Sequence, residues 1–232
     1  MNGTRILIAA AICLLAGCGS SSLLDHRLDE GVIEYALSFP EYDPDGIMGG
    51  MLPERTTVSF NDNKLVVELS AGMGIFRTAM ISDNDAMAMD YHMSLMSKKI
   101  VARLQPGDVS LFSDDMAMPT IVHTMDTATI AGYPCRHAIA IFDRIDHPEI
   151  ELWYTDRIAL KDPNWFGPFA EIPGVLLRYE LVQHGIRMRL DAISISDSPV
   201  DPKKFEVKTE YEKVPAAVLH KELAEVLGTF SM

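Results

Sequence analysis

From Val32 onward the chain is written in short runs in which apolar and polar residues alternate. Ile33, Tyr35, Leu37 and Phe39 point one way and Glu34, Ala36 and Ser38 the other, the period of a half-buried strand. The segment Glu41 to Pro53, rich in Pro, Gly and Asp, is expected to be a loop. Val58 and Phe60, the turn residues Asn61-Asp62-Asn63, then Leu65, Val67 and Leu69 predict a hairpin. Ile75 to Ile81 follows as a further strand. The cleanest alternation is Met87, Met89, Tyr91, Met93 and Leu95 against Ala88, Asp90, His92 and Ser94.

Ile100–Leu104, Val109–Phe112 and Thr120–Ile130 are the next strand-like pieces, followed by runs that carry Cys135, His137, Ile139 and Ile141, then Ile150, Leu152 and Tyr154. Between Arg157 and Gly174 the period vanishes while Trp165, Phe166, Phe169 and several prolines accumulate. That aromatic loop is either tucked under a sheet or lies over it as a flap. Leu177, Tyr179 and Leu181 resume the alternation, and Ile186, Met188 and Leu190 continue it until the phase slips at Ile193 and Ile195, the signature of a bulge. Phe205, Val207 and Tyr211 predict a last strand. Pro215 opens a helix with Val218, Leu219, Leu223, Val226 and Leu227 on one side and Gly228 at its end.

About a dozen strands with short connections and one helix predict a mostly β fold: a large curved antiparallel sheet or half-open barrel with a C-terminal helix. One helix cannot cover so much apolar face. The sheet is therefore expected to fold over itself or to enclose something.

The N-terminus has a different grammar. Arg5 precedes an apolar run, Ile6 to Ala16, which ends in Leu15-Ala16-Gly17-Cys18. This is the layout of a secretory signal, and a small-residue pair followed at once by Cys resembles the lipobox of bacterial lipoproteins. An eleven-residue run falls short of the roughly 20 residues needed to span a bilayer. The expectation is a signal peptide over residues 1–17, lipid attachment at Cys18, a Ser-rich tether over 18–30 and one β-rich domain over 31–232. Gly19, rather than Asp, follows the anchor, which resembles lipoproteins sorted to the outer membrane.

The chain has 20 basic and 33 acidic residues and a formal charge of −13, and loss of Arg5 with the signal moves it to −14. Lys98-Lys99 and Lys203-Lys204 are the adjacent basic pairs, and neither grows into a patch. Nucleic acid is accordingly not an expected partner. Of three cysteines, Cys13 leaves with the signal and Cys18 takes lipid, so Cys135 is expected as a lone, buried thiol.

Seven methionines between Met87 and Met125 fall within 39 residues. They can fill a core, line a concave surface adaptable to acyl chains, or act as soft thioether ligands for Cu(I). His92 faces away from Met87, Met89 and Met93 and would not complete a copper site. No metal ligand set, cofactor motif or catalytic signature emerges from the remaining residues. The residues expected to line an apolar ligand are Met87, Met89, Tyr91, Met93, Leu95, Trp165 and Phe166.

Gly132-Tyr133-Pro134-Cys135-Arg136-His137-Ala138, Trp153-Tyr154-Thr155-Asp156 and Ile172-Pro173-Gly174-Val175-Leu176, in that order, resemble the secreted GLPGLI family. Glu171 stands where that family's motif has its first Gly. The resemblance covers roughly residues 120–200, and Leu69 to Gly74 looks similar to related uncharacterised lipoproteins. By analogy it implies a lipoprotein-carrier (LolA-like) architecture, whose concave face holds acyl chains. The resulting expectation is a non-enzymatic lipoprotein of the cell envelope, anchored by lipid in the outer membrane or facing the periplasm, that shelters an apolar ligand. The alternatives are an accessory envelope lipoprotein that binds a protein partner, and a Met-rich copper-binding protein.

Overall fold

The computed structural model describes residues 27–43, 46, 49–112, 118–143, 149–183 and 185–228. Cys18 and the signal segment 1–17 lie outside the described residues, as does Met116. Twelve strands form one sheet: β1 (Glu30–Ser38), β2 (Arg55–Asn61), β3 (Lys64–Ala71), β4 (Phe76–Asp83), β5 (Ala88–Leu95), β6 (Lys98–Leu104), β7 (Thr120–Ile130), β8 (Tyr133–Ile141), β9 (Ile150–Thr155), β10 (Val175–Gln183), β11 (Ile186–Ser196) and β12 (Glu212–Lys213). The helix α1 (Ala216–Gly228) closes the described chain.

The spatial order is β12-β6-β5-β4-β3-β2-β1-β11-β10-β9-β8-β7. The chain starts in the middle with β1, meanders outward to β6, crosses to the opposite edge, and meanders back from β7 until β11 lies beside β1. All pairings are antiparallel except the short β12–β6 pair. Strand β1 begins at Glu30, and Leu28 already bridges Ile158, so the end of the expected tether is part of the fold.

Cross-strand register shows how the alternation becomes a core. One row runs Gly31, Phe60, Leu65, Ser82, Met89, Leu104; a second runs Ile33, Val58, Val67, Met80, Tyr91, Ala102; a third runs Tyr35, Thr56, Leu69, Thr78, Met93, Ile100. These rows share the inner face, where Ile33, Phe60 and Met93 are wholly buried. Full burial of each such side chain contributes about 1.5–3 kcal/mol. The opposite face carries Glu34, Thr57, Glu68, Ala79, His92 and Val101.

The sheet is open at its edges and strongly curled. Six strand spacings separate β5 from β10, about 29 Å in a flat sheet, yet Met89 and Tyr91 of β5 line one cavity together with Tyr179 and Gln183 of β10. The helix covers the β5–β6 end of the inner face: Leu219 and Leu223 are wholly buried in one cluster with Met93 and Ile100. The slip at Ile193 is a bulge, since Glu34 pairs Ser194 and Tyr35 pairs Ala192, leaving Ile193 over and 44% exposed.

Three expectations need correction. Val109–Phe112 belongs to a 3-10 segment, Pro106–Phe112, whose Val109 and Phe112 pack on the inner-face cluster. Phe205, Val207 and Tyr211 do not form a strand; Pro202–Phe205 is a 3-10 turn, and β12 is confined to Glu212–Lys213. This stretch lies along the outer face of the sheet, where Phe205, Val207 and Tyr211 are half-buried and the residues between them, Thr209 included, are exposed. Met87 does not belong to the alternation of β5. It stands in the preceding turn with φ +46° and is 42% exposed.

Candidate functional site

Curling brings inner-face residues of the first meander to the β10 side of the second. Met89 and Tyr91 of β5, with Met80 and Leu104 beside them, face Tyr179 and Leu181 of β10 across a cavity of about 150 Å³. The 3-10 segment after β6 and the aromatic loop close it, the latter through Trp165, Phe166 and Phe169. No charged side chain lines it among the described residues. A wider depression of about 650 Å³ near Asp62 and Lys64 is a polar surface feature at the β2–β3 turn. It is not part of the core.

The aromatic loop is tucked in. Trp165 is buried, and its indole N–H donates to Ser82 Oγ at 2.8 Å, while Ser82 Oγ donates to Asn84 Oδ1 at 2.8 Å. Ser82 is the one hydroxyl in a row of Phe60, Leu65, Met89 and Leu104, and this accounts for its place there. Phe166 packs edge-on against Trp165, with centroids 5.8 Å apart, and touches the clusters of both meanders. Asn164 holds the loop's far end, donating from Nδ2 to the carbonyls of Ile172 (2.9 Å) and Gly174 (2.8 Å).

The cavity has few polar atoms. Tyr91, Tyr179, Asn164 and Gln183 supply them. Tyr179 packs edge-on against Tyr35 and Phe169, and burial pushes its phenol well above the ordinary range. Burial does the same to Tyr91. Both phenols are therefore neutral at any physiological pH, and the site offers hydrogen bonds without charge.

Of the seven residues expected to line a ligand, Met89, Tyr91, Trp165 and Phe166 line this cavity. Met93 and Leu95 share the face but pack in the cluster that holds α1, and Met87 stands outside in its turn. The residues that periodicity missed come from elsewhere in the sheet. Tyr179, Leu181 and Gln183 lie some ninety positions from Tyr91, and only the curl brings them near.

The remaining candidates are dispersed. His92 is buried on the outer face beneath Tyr211, at a centroid distance of 4.9 Å, and burial lowers its basicity. The inner face that holds Met89 and Met93 is on the other side of the sheet. Cys135 is buried, its thiol pushed up to about 11 by burial, with Sγ 3.4 Å from the Tyr133 carbonyl. His137 stacks on Trp153 at 4.4 Å and meets Thr124 Oγ1 at 3.0 Å. No cluster of three or more His, Cys, Asp or Glu with metal-ligand geometry occurs among the described residues. No described helix is long and apolar enough to cross a membrane.

No protein-family model and no curated protein matches the sequence. Solved structures do resemble it. PNGF-II in its P21 crystal form aligns with a TM-score of 0.54 and 15% identity over 85% of this chain and 33% of that one. The C2 form aligns at 0.53 and 16%, over 84% and 32%. At such identities the likeness is one of fold, and this chain spans about a third of the PNGF-II length. A chain of the Pseudomonas aeruginosa MucA/MucB complex aligns over 81% of this chain and 59% of that one at a TM-score of 0.33 and 9% identity, too low to bear on the fold.

Proposed function

We propose that this protein is a lipid-anchored protein of the cell envelope that shelters an apolar ligand on the inner face of its curled sheet, without catalysing a reaction. The cavity between β5 and β10 carries the reading. It is bounded mainly by aliphatic, aromatic and thioether side chains, has no charged side chain among the described residues, and draws its walls from both meanders. Ligand sites are concave and mostly apolar, with a few placed polar groups. Flexible, polarizable Met80 and Met89 suit a variable apolar guest. The sequence around Cys18 supports attachment through diacylglyceryl and palmitate chains, and Gly19 supports the outer membrane as its destination. The resemblance to GLPGLI-family proteins and to lipoprotein carriers agrees with this reading.

Native mass spectrometry of the full chain, with organic extraction of what is released, tests the proposal. A co-purified apolar molecule is the expected result. An empty protein that also takes up no added lipid would overturn it. Radiolabelled palmitate incorporated by the wild type and lost in Cys18→Ala tests the anchor separately.

One observation favours a second reading, in which a protein partner is bound. Among the described residues the outer edge of β7, eleven residues long, has no strand beside it, and the strand carries Val122 and Met125, the latter 97% exposed. Such an edge is a template for an added strand. Protection of β7 amides from hydrogen exchange in envelope extract, absent in buffer, would support it over the ligand reading.

A further inference from the structure

The first meander has two ends. At one, Glu30 pairs Asn61 and Lys64 pairs Asp83; at the other, Ala71 pairs Phe76 and Leu95 pairs Lys98. Three connections gather at this second end. The 3-10 turn Gly72–Gly74 joins β3 to β4, the turn at Met96 joins β5 to β6, and the 3-10 turn Gly49–Met51 before β2 lies beside Gly72–Gly74. The Met96 amide donates to the Ile75 carbonyl at 3.1 Å and ties the first two together. Met73 is fully exposed at this tip, Met96 is 78% exposed, and Ile75 and Met51 are nearly half exposed. Met73 and Met96 also stand at φ +55° and +53°, a left-handed conformation that strains such side chains and that Gly or Asn adopts more readily. At the opposite end the β2–β3 turn places Asp62 and Asn63 at positive φ. No burial accounts for methionine at the strained positions.

A cation stands beside these side chains. Arg77 is exposed, and its Nη2 would lie 3.0 Å from a Cβ placed on Gly74, so the guanidinium reaches over the turn that carries Met73. It has no ion pair among the described residues. Lys98 and Lys99 rim the same end, paired with Glu222 at 2.5 Å and Glu210 at 3.7 Å. We propose that this tip docks on a lipid bilayer: Met73, Ile75 and Met96, with Met51 beside them, enter the boundary between headgroups and acyl chains, and Arg77 meets lipid phosphate. The contact is separate from the proposed acyl anchor at Cys18 and independent of what the cavity holds. Apolar side chains that enter about 5–10 Å, with a cation at headgroup level, are the ingredients of interfacial binding. A protein partner would have to pack a complementary surface around separate protrusions, whereas fluid acyl chains adapt to flexible methionines. The unpaired guanidinium also gives an attraction to anionic headgroups in a chain whose formal charge of −13 would otherwise be repelled by them.

Hydrogen peroxide footprinting of the full chain, read by peptide mass spectrometry, tests the docking with methionines already in place. Exposed methionine is oxidised to the sulfoxide. Met73 and Met96 should react fast in buffer and be protected when vesicles of phosphatidylethanolamine and phosphatidylglycerol are added. Met125, 97% exposed on the β7 edge, should stay reactive and so report that attachment by another route does not protect the whole surface. Arg77→Gln should raise the lipid concentration for half-protection about fivefold on these vesicles, and less on phosphatidylcholine. Met96→Asn, which suits the turn's backbone, should raise it about tenfold on both, read at Met73. Oxidation of Met73 and Met96 at the same rate with and without vesicles would overturn the proposal, even if the chain floats with them through its N-terminus. Equal protection of Met125 would overturn the tip as the docking element. Protection that grows with protein concentration in the absence of lipid would overturn the bilayer in favour of a second copy. Occupancy of the cavity is untouched by any of these outcomes.

Discussion

The indole N–H of Trp165 donates to Ser82 Oγ across 83 positions of sequence, at 2.8 Å, fixing the aromatic loop to the inner face of β4. A buried donor deprived of its acceptor costs about 1–3 kcal/mol. Ser82→Ala is accordingly expected to lower unfolding stability by that amount in urea denaturation and to shift tryptophan emission to the red. An unchanged midpoint with unchanged emission would show that the loop is held without this bond.

Gly174 is locked by geometry. A Cβ there would lie 2.4 Å from the Thr155 carbonyl oxygen, a backbone atom that cannot swing aside. Gly174→Ala must push the loop's end away from β9 and strain both carbonyl contacts of Asn164. The expected cost is about 1–3 kcal/mol, read as a lower melting temperature. Wild-type melting in that variant would contradict the close approach.

Cys135 should be inert. Its thiol titrates near 11, against an ordinary 9.0, because burial disfavours the thiolate. At pH 8 the folded protein is expected to leave Ellman's reagent unreacted, and urea should release one reactive thiol from this position. The linkage has a sign. A raised pKa means that the folded state holds its proton more tightly, so this contribution to stability is full below pH 9 and is lost as pH rises from 9 to 11. Cys135→Ala should flatten that decline.

His92 predicts the opposite limb. Burial under Tyr211 and the nearby Lys208 lower its pKa from 6.5, against the raising pull of Asp90 and backbone carbonyls. The unfolded chain then binds the proton more readily than the folded one. Stability from this residue is complete above about pH 6.5 and falls as pH drops through the lower folded value. The wild type should therefore lose stability between pH 6.5 and 5 faster than His92→Gln, measured by denaturation at each pH, and parallel curves would refute the assignment.

The strands were legible because an antiparallel sheet with a buried inner face forces a period of two, as in Phe60, Leu65 and Met89. Even the bulge at Ile193 left its mark as a slip of phase. Two stretches carried that period without being strands. Phe205, Val207 and Tyr211 are half-buried against the outer face of the sheet although the chain there runs through a 3-10 turn and a hydrogen-bonded turn at Lys208–Tyr211, so spacing alone suggested a strand. Val109–Phe112 is too short for periodicity to tell a 3-10 turn from a strand. Met87 kept the phase of β5 although a left-handed turn residue precedes the strand. The site was half legible: Met89 and Tyr91 follow from alternation and Trp165 and Phe166 from composition, but Tyr179 and Gln183 depend on the curl. Curvature is a property of the whole sheet, and no local pattern records it.

The order of strands also has a kinetic consequence. Within each meander every pairing joins sequence neighbours, whereas the meanders meet along one seam, where Ile33 of β1 pairs Ile195 of β11. Closing that seam ties a loop of about 160 residues, and loop entropy must be met before its contacts repay it. The two halves can thus form early and join late. Because the cavity takes one wall from each half, it comes into being only at the joining step. An apolar guest held there would act as a clasp on the slowest part of folding, retarding unfolding while leaving the assembly of each meander untouched.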